Sequence, residues 1–481
     1  MSFFSCFLNT CMTNPYYREL TSVDEVRELV AGVCAVEGGR ISAVRDIEKL
    51  NSDIIHTLQF NASVSVHDDV KKTSIDWINE IALQRNLTTG SNADFYDAKA
   101  RGEHEFFTVP AINCRMLTFH MVRAAVRAAD RLALPHVVFE LALSEMAYTA
   151  QQKDEYVALV KAAYVSLGLS DRVLYMQADH YQLDPDNYAK DADAEMNRMK
   201  ERIAKAIDAG VYNIDIDASK FETADPAKSD RENQAENARL TAGLFHFIRQ
   251  YEKDHQLPCV VSIGGEVGEV GGENTKYSAV NAYLDMIKEH AEALGSGDVK
   301  GISKVSINVG SAHGGVLGPD GKPLDTVPLD FTAHHDVYMK GVDPLNSGKH
   351  VISVQHGAST LPKQYFPLFP AMHVGEIHLA TGFQNIVWDI LEKEDRPLFE
   401  KMKAIAFEKF ADKIAKHPTE AIGFQKENKR VTEFVKKDLL LSTAVEQIEK
   451  NLEQEFATIF TSLFTLLRPK SGHIVQGDRA D

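Results

Sequence analysis

Cysteine is scarce in this chain, and what there is makes no pattern. The 481 residues hold five cysteines (Cys6, Cys11, Cys34, Cys114, Cys259), with no C-x-x-C and no paired metal-ligand spacing. That argues against a cysteine-built metal or redox motif and reads Cys34, Cys114 and Cys259 as buried thiols of a reducing compartment. Long apolar runs are missing as well, so no segment is expected to cross a bilayer. Positive charge is in deficit, with 52 Lys and Arg against 69 Asp and Glu for a net charge of -17. This disfavours a general nucleic-acid or anionic-membrane role and leaves room only for a local basic pocket, such as one for a phosphorylated metabolite. Met1 to Cys11 carries Phe3, Phe4, Phe7 and Leu8 with no basic residue ahead of them. A signal peptide is therefore not expected, Met12 is an alternative start, and the cytoplasm is the expected location. Low-complexity stretches and solenoid repeats are absent. Gly264, Gly265, Gly271 and Gly272 come with no G-x-G-x-x-G and no Walker lysine, so they read as loop flexibility rather than as a phosphate cradle.

What is present is an alternation. From Glu105 onward, β-like runs at Phe106–Asn113, His136–Leu141, Val173–His180, Val211–Asp217, Cys259–Glu266, Lys304–Gly310, His350–His356 and Glu376–Thr381 are separated by amphipathic helical patterns, among them Thr118–Leu132, Lys153–Ser166, Ala194–Ala209, Asn233–Lys253 and Ser278–Leu294. Eight such units predict an α/β chain folded as a (β/α)8 TIM barrel, with an open doubly wound sheet as the second choice. The expected organisation is a leader and helical extension over residues 1–101, a barrel over 102–400, and C-terminal helices with a polar tail over 401–481. Within the first of these, Val23–Val36, Ile41–Leu50 and Ser74–Leu87 read as helices. Toward the end, Gln384–Lys393, Pro397–Lys416 and Thr432–Leu467 do.

Three of the β-like runs close on histidine: Asp179-His180, Ala312-His313-Gly314 and Gln355-His356-Gly357. Side chains at the C-terminal ends of barrel strands point into the mouth, so His180, His313 and His356 can converge on one divalent metal and leave a position open, with Asp179 a carboxylate beside it. One histidine at a strand end is more often a structural hydrogen-bonding group than a ligand. Three in matching places shift that balance, whereas His56, His67, His120, His334 and His335 have no such context.

With these motifs in order, the chain resembles the class II, metal-dependent ketose-bisphosphate aldolases. The resemblance runs from Phe106 to Thr381. Val109-Pro110-Ala111-Ile112-Asn113-Cys114 is similar to the first strand, Asp179-His180 to the Asp-His pair, and Asp215-Ile216-Asp217-Ala218-Ser219 to strand four. Glu266-Val267-Gly268 with Gly271-Gly272-Glu273, Ala312-His313-Gly314 and His356-Gly357-Ala358-Ser359 follow. The resemblance implies a barrel that forms a homodimer or higher homo-oligomer and a zinc ion held by His180, His313 and His356, with Glu266 and Asp217 near a second or alternative metal position. It implies reversible aldol cleavage of a ketose bisphosphate, with fructose 1,6-bisphosphate as the expected substrate and dihydroxyacetone phosphate and glyceraldehyde 3-phosphate as products. Asp179 inherits the role of protonating the aldehyde oxygen, and Asn113, Gly314, Ser359 and Thr381 those of substrate contacts.

Three departures qualify the substrate. The strand-seven loop reads His356-Gly357-Ala358-Ser359-Thr360, where the family has further glycines. Strand eight places His378 where an asparagine contacts substrate, and Glu376 where a lysine stands. The loop glutamate that removes a proton aligns with Asn274, so Glu273, one residue earlier, is the expected base, with Glu269 or Glu145 as competitors. A noncatalytic aldolase-like subunit that binds metal or sugar phosphate, or an aldolase for another sugar phosphate, are the alternatives. A barrel hydrolase would show His-x-His on its first strand, which this chain lacks.

Overall fold

A computed structural model describes residues 17–268, 274–310, 316–324, 327, 329–346 and 349–464. Eight parallel strands close into a barrel: β1 (Val109–Asn113), β2 (Val138–Ala142), β3 (Arg172–Gln182), β4 (Asn213–Asp217), β5 (Ser262–Val267), β6 (Lys304–Ile307), β7 (Ser353–Gln355) and β8 (Glu376–Leu379). Each pairs with the next, and β8 closes on β1 through Glu376↔Val109 and Leu379↔Ile112. In β1, β2, β4 and β5 every residue is buried. Such strands are covered by helices outside and by packed side-chain layers inside, so even the polar residues that alternate with isoleucine in β4 are buried. A further strand, Leu87–Gly90, extends the sheet by pairing with the first residues of β3.

Helices Thr118–Leu132 and Lys153–Ser166 form where the amphipathic pattern places them. The two extensions are fastened to these helices. The buried Glu155 carboxylate meets Lys71 from the N-terminal side at 2.7 Å and Lys436 from the C-terminal side. Glu449, on the helix Val445–Ser462, is gripped by His120 at 2.6 Å, by Arg123 at 3.0 Å and by Arg127, all on Thr118–Leu132. Tyr17 bonds the other ring nitrogen of His120 at 2.6 Å.

Four helix expectations are corrected: Val23–Val36 is shortened, the first half of Ile41–Leu50 is strand, and Pro397–Lys416 and Thr432–Leu467 are each split, the former at Phe410. The helix that starts at Val23 ends at Ala31, and the strands Cys34–Glu37 and Arg40–Val44 pair as an antiparallel hairpin in place of helical turns. Gly38 and Gly39 both take positive φ, +58° and +80°, a two-residue turn that glycine makes without strain. The expected single helix from Thr432 is two, Thr432–Leu441 and Val445–Ser462, separated at Ser442.

Candidate metal centre

Asp179 and His180 are adjacent in β3, so a regular strand would send their side chains to opposite faces. The pairing of β3 with β4 slips between Ala178 and Tyr181, and His180 adopts φ +44°. This bulge, with its one strained residue, lets both neighbouring side chains reach the mouth. There His180 Nδ1 lies 2.8 Å from Glu266 Oε1 and 3.2 Å from Asp217 Oδ2. The His180 and His356 rings are 4.2 Å apart, and His356 Nε2 is 3.9 Å from the same Glu266 oxygen. Asp217 is aimed by Ser219, whose backbone N–H and hydroxyl donate to Oδ1 at 3.0 and 2.7 Å.

The ligand atoms of His180, Glu266 and His356 all fall within 4.8 Å of one another. Ligands on a tetrahedron with arms of about 2.0–2.1 Å stand about 3.3 Å apart. Two imidazoles with carboxylates at these spacings therefore fit a divalent ion of zinc type. The electrostatics agree. Burial and the Asp217 charge push the Glu266 carboxyl up to about 7. Burial disfavours a charged His180, yet Asp179 and Glu266 hold its pKa well above the ordinary value. Four buried acids and bases thus share protons where a cation would relieve them.

Beneath this group the barrel interior is filled differently. Lys304 Nζ donates to Gln177 Oε1 at 2.6 Å, to Asp215 Oδ2 at 3.1 Å and to Glu376, which also accepts from the Tyr96 hydroxyl. Gly264 packs so tightly on Asp215 and Lys304 that a Cβ would collide with the Asp215 carboxylate.

The mouth opens into a cavity of about 1200 Å³. Asn113, Asp179, His180, His356, Ser359, His378 and Thr381 all line it, so seven expected site residues share one space. Glu266 and Asp217 are buried behind them. His313, Gly314 and Glu273 lie outside the described residues, as does the competing Glu269. Glu145, the other competitor for the base, is engaged by Arg115 at 2.7 Å and by the Asn113 amide at 2.6 Å. Burial alone would raise its carboxyl, but Arg115 brings it below the ordinary value, which suits an anchor better than a base.

The expected substrate contact His378 lines the cavity and is surrounded by acids. Its Nδ1 is 3.1 Å from Glu140 and 3.2 Å from Asp179, and its Nε2 is 2.7 Å from Glu376. Burial works against a proton on this ring, yet Glu140 and Asp179 keep its pKa well above the ordinary value. The cations of the cavity escaped the sequence reading. Arg115 reaches Thr381 Oγ1 at 3.3 Å, Lys153 lies under Tyr181, and Lys429 stands over the Tyr148 ring. Burial lowers both lysines to about 8. Arg115 carried a signal, two places beyond a strand-end asparagine. Lys429 carried none, because only the fold returns the C-terminal extension to the mouth.

The sequence matches the family model described as fructose-bisphosphate aldolase class-II over residues 96–457. No curated protein matches it. Among solved structures, a probable tagatose 6 phosphate kinase from Sinorhizobium meliloti 1021 aligns over 74% of this chain and 99% of its own at 16% identity, with a TM-score of 0.52. The fructuronate-tagaturonate epimerase UxaE from Cohnella laeviribosi, in a glycerol complex, covers 83% and 86% at 11% identity with a TM-score of 0.51. A fructose-bisphosphate aldolase from Campylobacter jejuni covers 78% and 96% at 15% identity with a TM-score of 0.43. At these identities the first two likenesses carry the barrel fold and nothing of the reaction.

Proposed function

We propose a reaction for this chain from one premise: it belongs to the class-II fructose-bisphosphate aldolase family. The reading is a lyase that uses a divalent ion, zinc in the first instance, to cleave and re-form the carbon–carbon bond of a phosphorylated ketose. The observation that carries it is the convergence of His180, Glu266 and His356 on one point at the mouth of the barrel.

His180 and His356, with His313, hold the ion in this reading, and Glu266 and Asp217 form its alternative position. When bound, the ion supplies a Lewis acid that polarises the ketose carbonyl. Asp179 takes the proton from the hydroxyl next to the breaking bond and returns it to the aldehyde oxygen in the reverse direction. Its carboxyl suits that work. Burial opposes its charge, but His180 and His378 hold it well below the ordinary value, so it starts as a base. Glu273 handles the proton at the carbon of the cleaved bond. Asn113, Gly314, Ser359 and Thr381 position the substrate. Arg115, Lys153 and Lys429 give an acidic protein a cationic wall against which an anionic substrate can dock. A homodimer in the cytoplasm belongs to the same reading.

Fructose 1,6-bisphosphate, giving dihydroxyacetone phosphate and glyceraldehyde 3-phosphate, is the first substrate to assay. One observation favours another ketose phosphate as the second reading. His378 is enclosed by Glu140, Asp179 and Glu376, so it does not offer the free amide that an asparagine there would. A panel of ketose mono- and bisphosphates, assayed with and without chelator, tests both. Chelator-sensitive release of a triose phosphate from at least one of them is expected. Absence of cleavage across the panel with zinc bound would contradict the enzyme reading and favour a noncatalytic binding subunit.

A further inference from the structure

Beside the first convergence lies a second, and we propose that it seats a second divalent cation between Asp179, His356 and His378, with Glu140 at its border. The proposal deepens the metal-dependent reading above and rests on it for the class of ion. The ligand atoms of Asp179, His356 and His378 fall within 4.8 Å of one another. His378 Nδ1 faces Asp179 Oδ1 at 3.2 Å and Glu140 Oε2 at 3.1 Å. These separations match the edges of a tetrahedral site, about 3.3 Å for arms of about 2.0–2.1 Å.

They do not make good hydrogen bonds. Asp179 Oδ1 and His378 Nδ1 are buried, yet neither has a hydrogen-bond partner of acceptable geometry among the described residues. Buried polar atoms aimed at one another without bonding are costly unless something sits between them. The His356 and His378 rings are 4.1 Å apart, and the His180 and His356 rings 4.2 Å, so His356 stands between two groups of ligands.

A third trio, Asp215, Glu376 and His378, also has metal-like spacing, but Lys304 already occupies it and bonds both carboxylates. That trio is a filled structural site, and it shows how this barrel neutralises acids when it uses a side chain to do so. A carboxylate that ligates through one oxygen keeps the other for proton transfer, so occupancy of the second seat is compatible with the role given to Asp179.

Equilibrium dialysis of the full chain against zinc, followed by elemental analysis per chain, tests the proposal. Two equivalents are expected for the unmodified protein, one for His378→Asn and one for His180→Ala, with far-UV circular dichroism confirming that each variant is folded. Should His378→Asn fail to fold, Glu140→Gln replaces it and should weaken the second equivalent at least tenfold while the first is kept. One equivalent in the unmodified protein, lost in His180→Ala, overturns the second seat and leaves the proposed function standing. Two equivalents that persist in His378→Asn and in Glu140→Gln also overturn it. No bound zinc in the unmodified protein contradicts both the second seat and the metal-dependent reading.

Discussion

At the floor of the barrel, Lys304 sits between Asp215 and Glu376, bonds both, and shares Gln177 and Tyr96 in one network, with only Asp215 Oδ1 among its carboxylate oxygens left without a partner. Nearer the mouth, His180, Asp217, Glu266 and His356 are packed as closely, but carboxylates meet carboxylates across imidazoles. Both clusters are buried and ionic, and both draw on several strands. The difference is that the floor carries its own cation in hydrogen-bonding geometry, whereas the mouth holds ligand-like spacings that only a shared proton or an added cation can balance. A buried charge cluster satisfied by side chains holds a fold, and one left short of a cation marks a site.

The strongest way to break this comparison is to remove the floor's cation. Lys304→Met leaves Glu376 and Asp215 buried without a partner, which should cost about 3–5 kcal/mol and lower the thermal midpoint whether or not metal is present. Rescue by added zinc would mean that the two clusters are not distinct. Asp179→Asn attacks the mouth instead. Carbon–carbon cleavage should fall by about two to four orders of magnitude while His180, Glu266 and His356 retain their ion. A variant that loses that ion would place Asp179 among its ligands.

Much of this contrast was legible in the chain, but unevenly. The eight barrel strands, with His180 and His356 near the ends of two of them, follow from alternation and position alone. The bulge at His180 does not, because a strand run gives no sign that residue 180 has turned to positive φ. Nor does Lys304, which reads as an ordinary first residue of a strand until the barrel brings it across to Asp215 and Glu376. His378 showed that strand eight departs from the family pattern, but only the packing shows that Glu140, Asp179 and Glu376 enclose it. The hairpin was missed although Gly38-Gly39 announces it, since the flanking runs also suit a helix. Lys429 reaches the mouth from a segment that the sequence separates from the barrel strands.

A third buried carboxylate sharpens the comparison at smaller cost. Burial opposes the charge on Glu449, but His120, Arg123 and Arg127 outweigh it and bring its carboxyl down to about 2. A depressed carboxyl contributes stability that is present above the ordinary value and lost as pH falls through the depressed one. The clamp should therefore add about 2–3 kcal/mol at neutral pH, lost progressively from about pH 4.5 toward pH 2. Glu449→Gln should flatten the acid limb of a stability–pH curve, and an unaltered limb would show that the clamp is not energetically significant.

The smallest expected effect is on substrate. Lys429 loses its proton near pH 8, so Lys429→Gln should raise KM about tenfold below that pH and much less above it, with kcat little changed. An equal effect at all pH values would remove this lysine from anion recognition.

Thermal unfolding with and without chelator, in the unmodified protein and in His180→Ala, tests the central claim most directly. A ligand at a hundredfold its dissociation constant stabilises by about 2.7 kcal/mol. Zinc should therefore raise the midpoint of the unmodified protein by several degrees, chelator should abolish the rise, and His180→Ala should show a clearly smaller rise with the floor network unaffected. A midpoint indifferent to zinc in the unmodified protein, or a full zinc-dependent rise that survives in His180→Ala, would contradict the claim that the mouth cluster is a cation site.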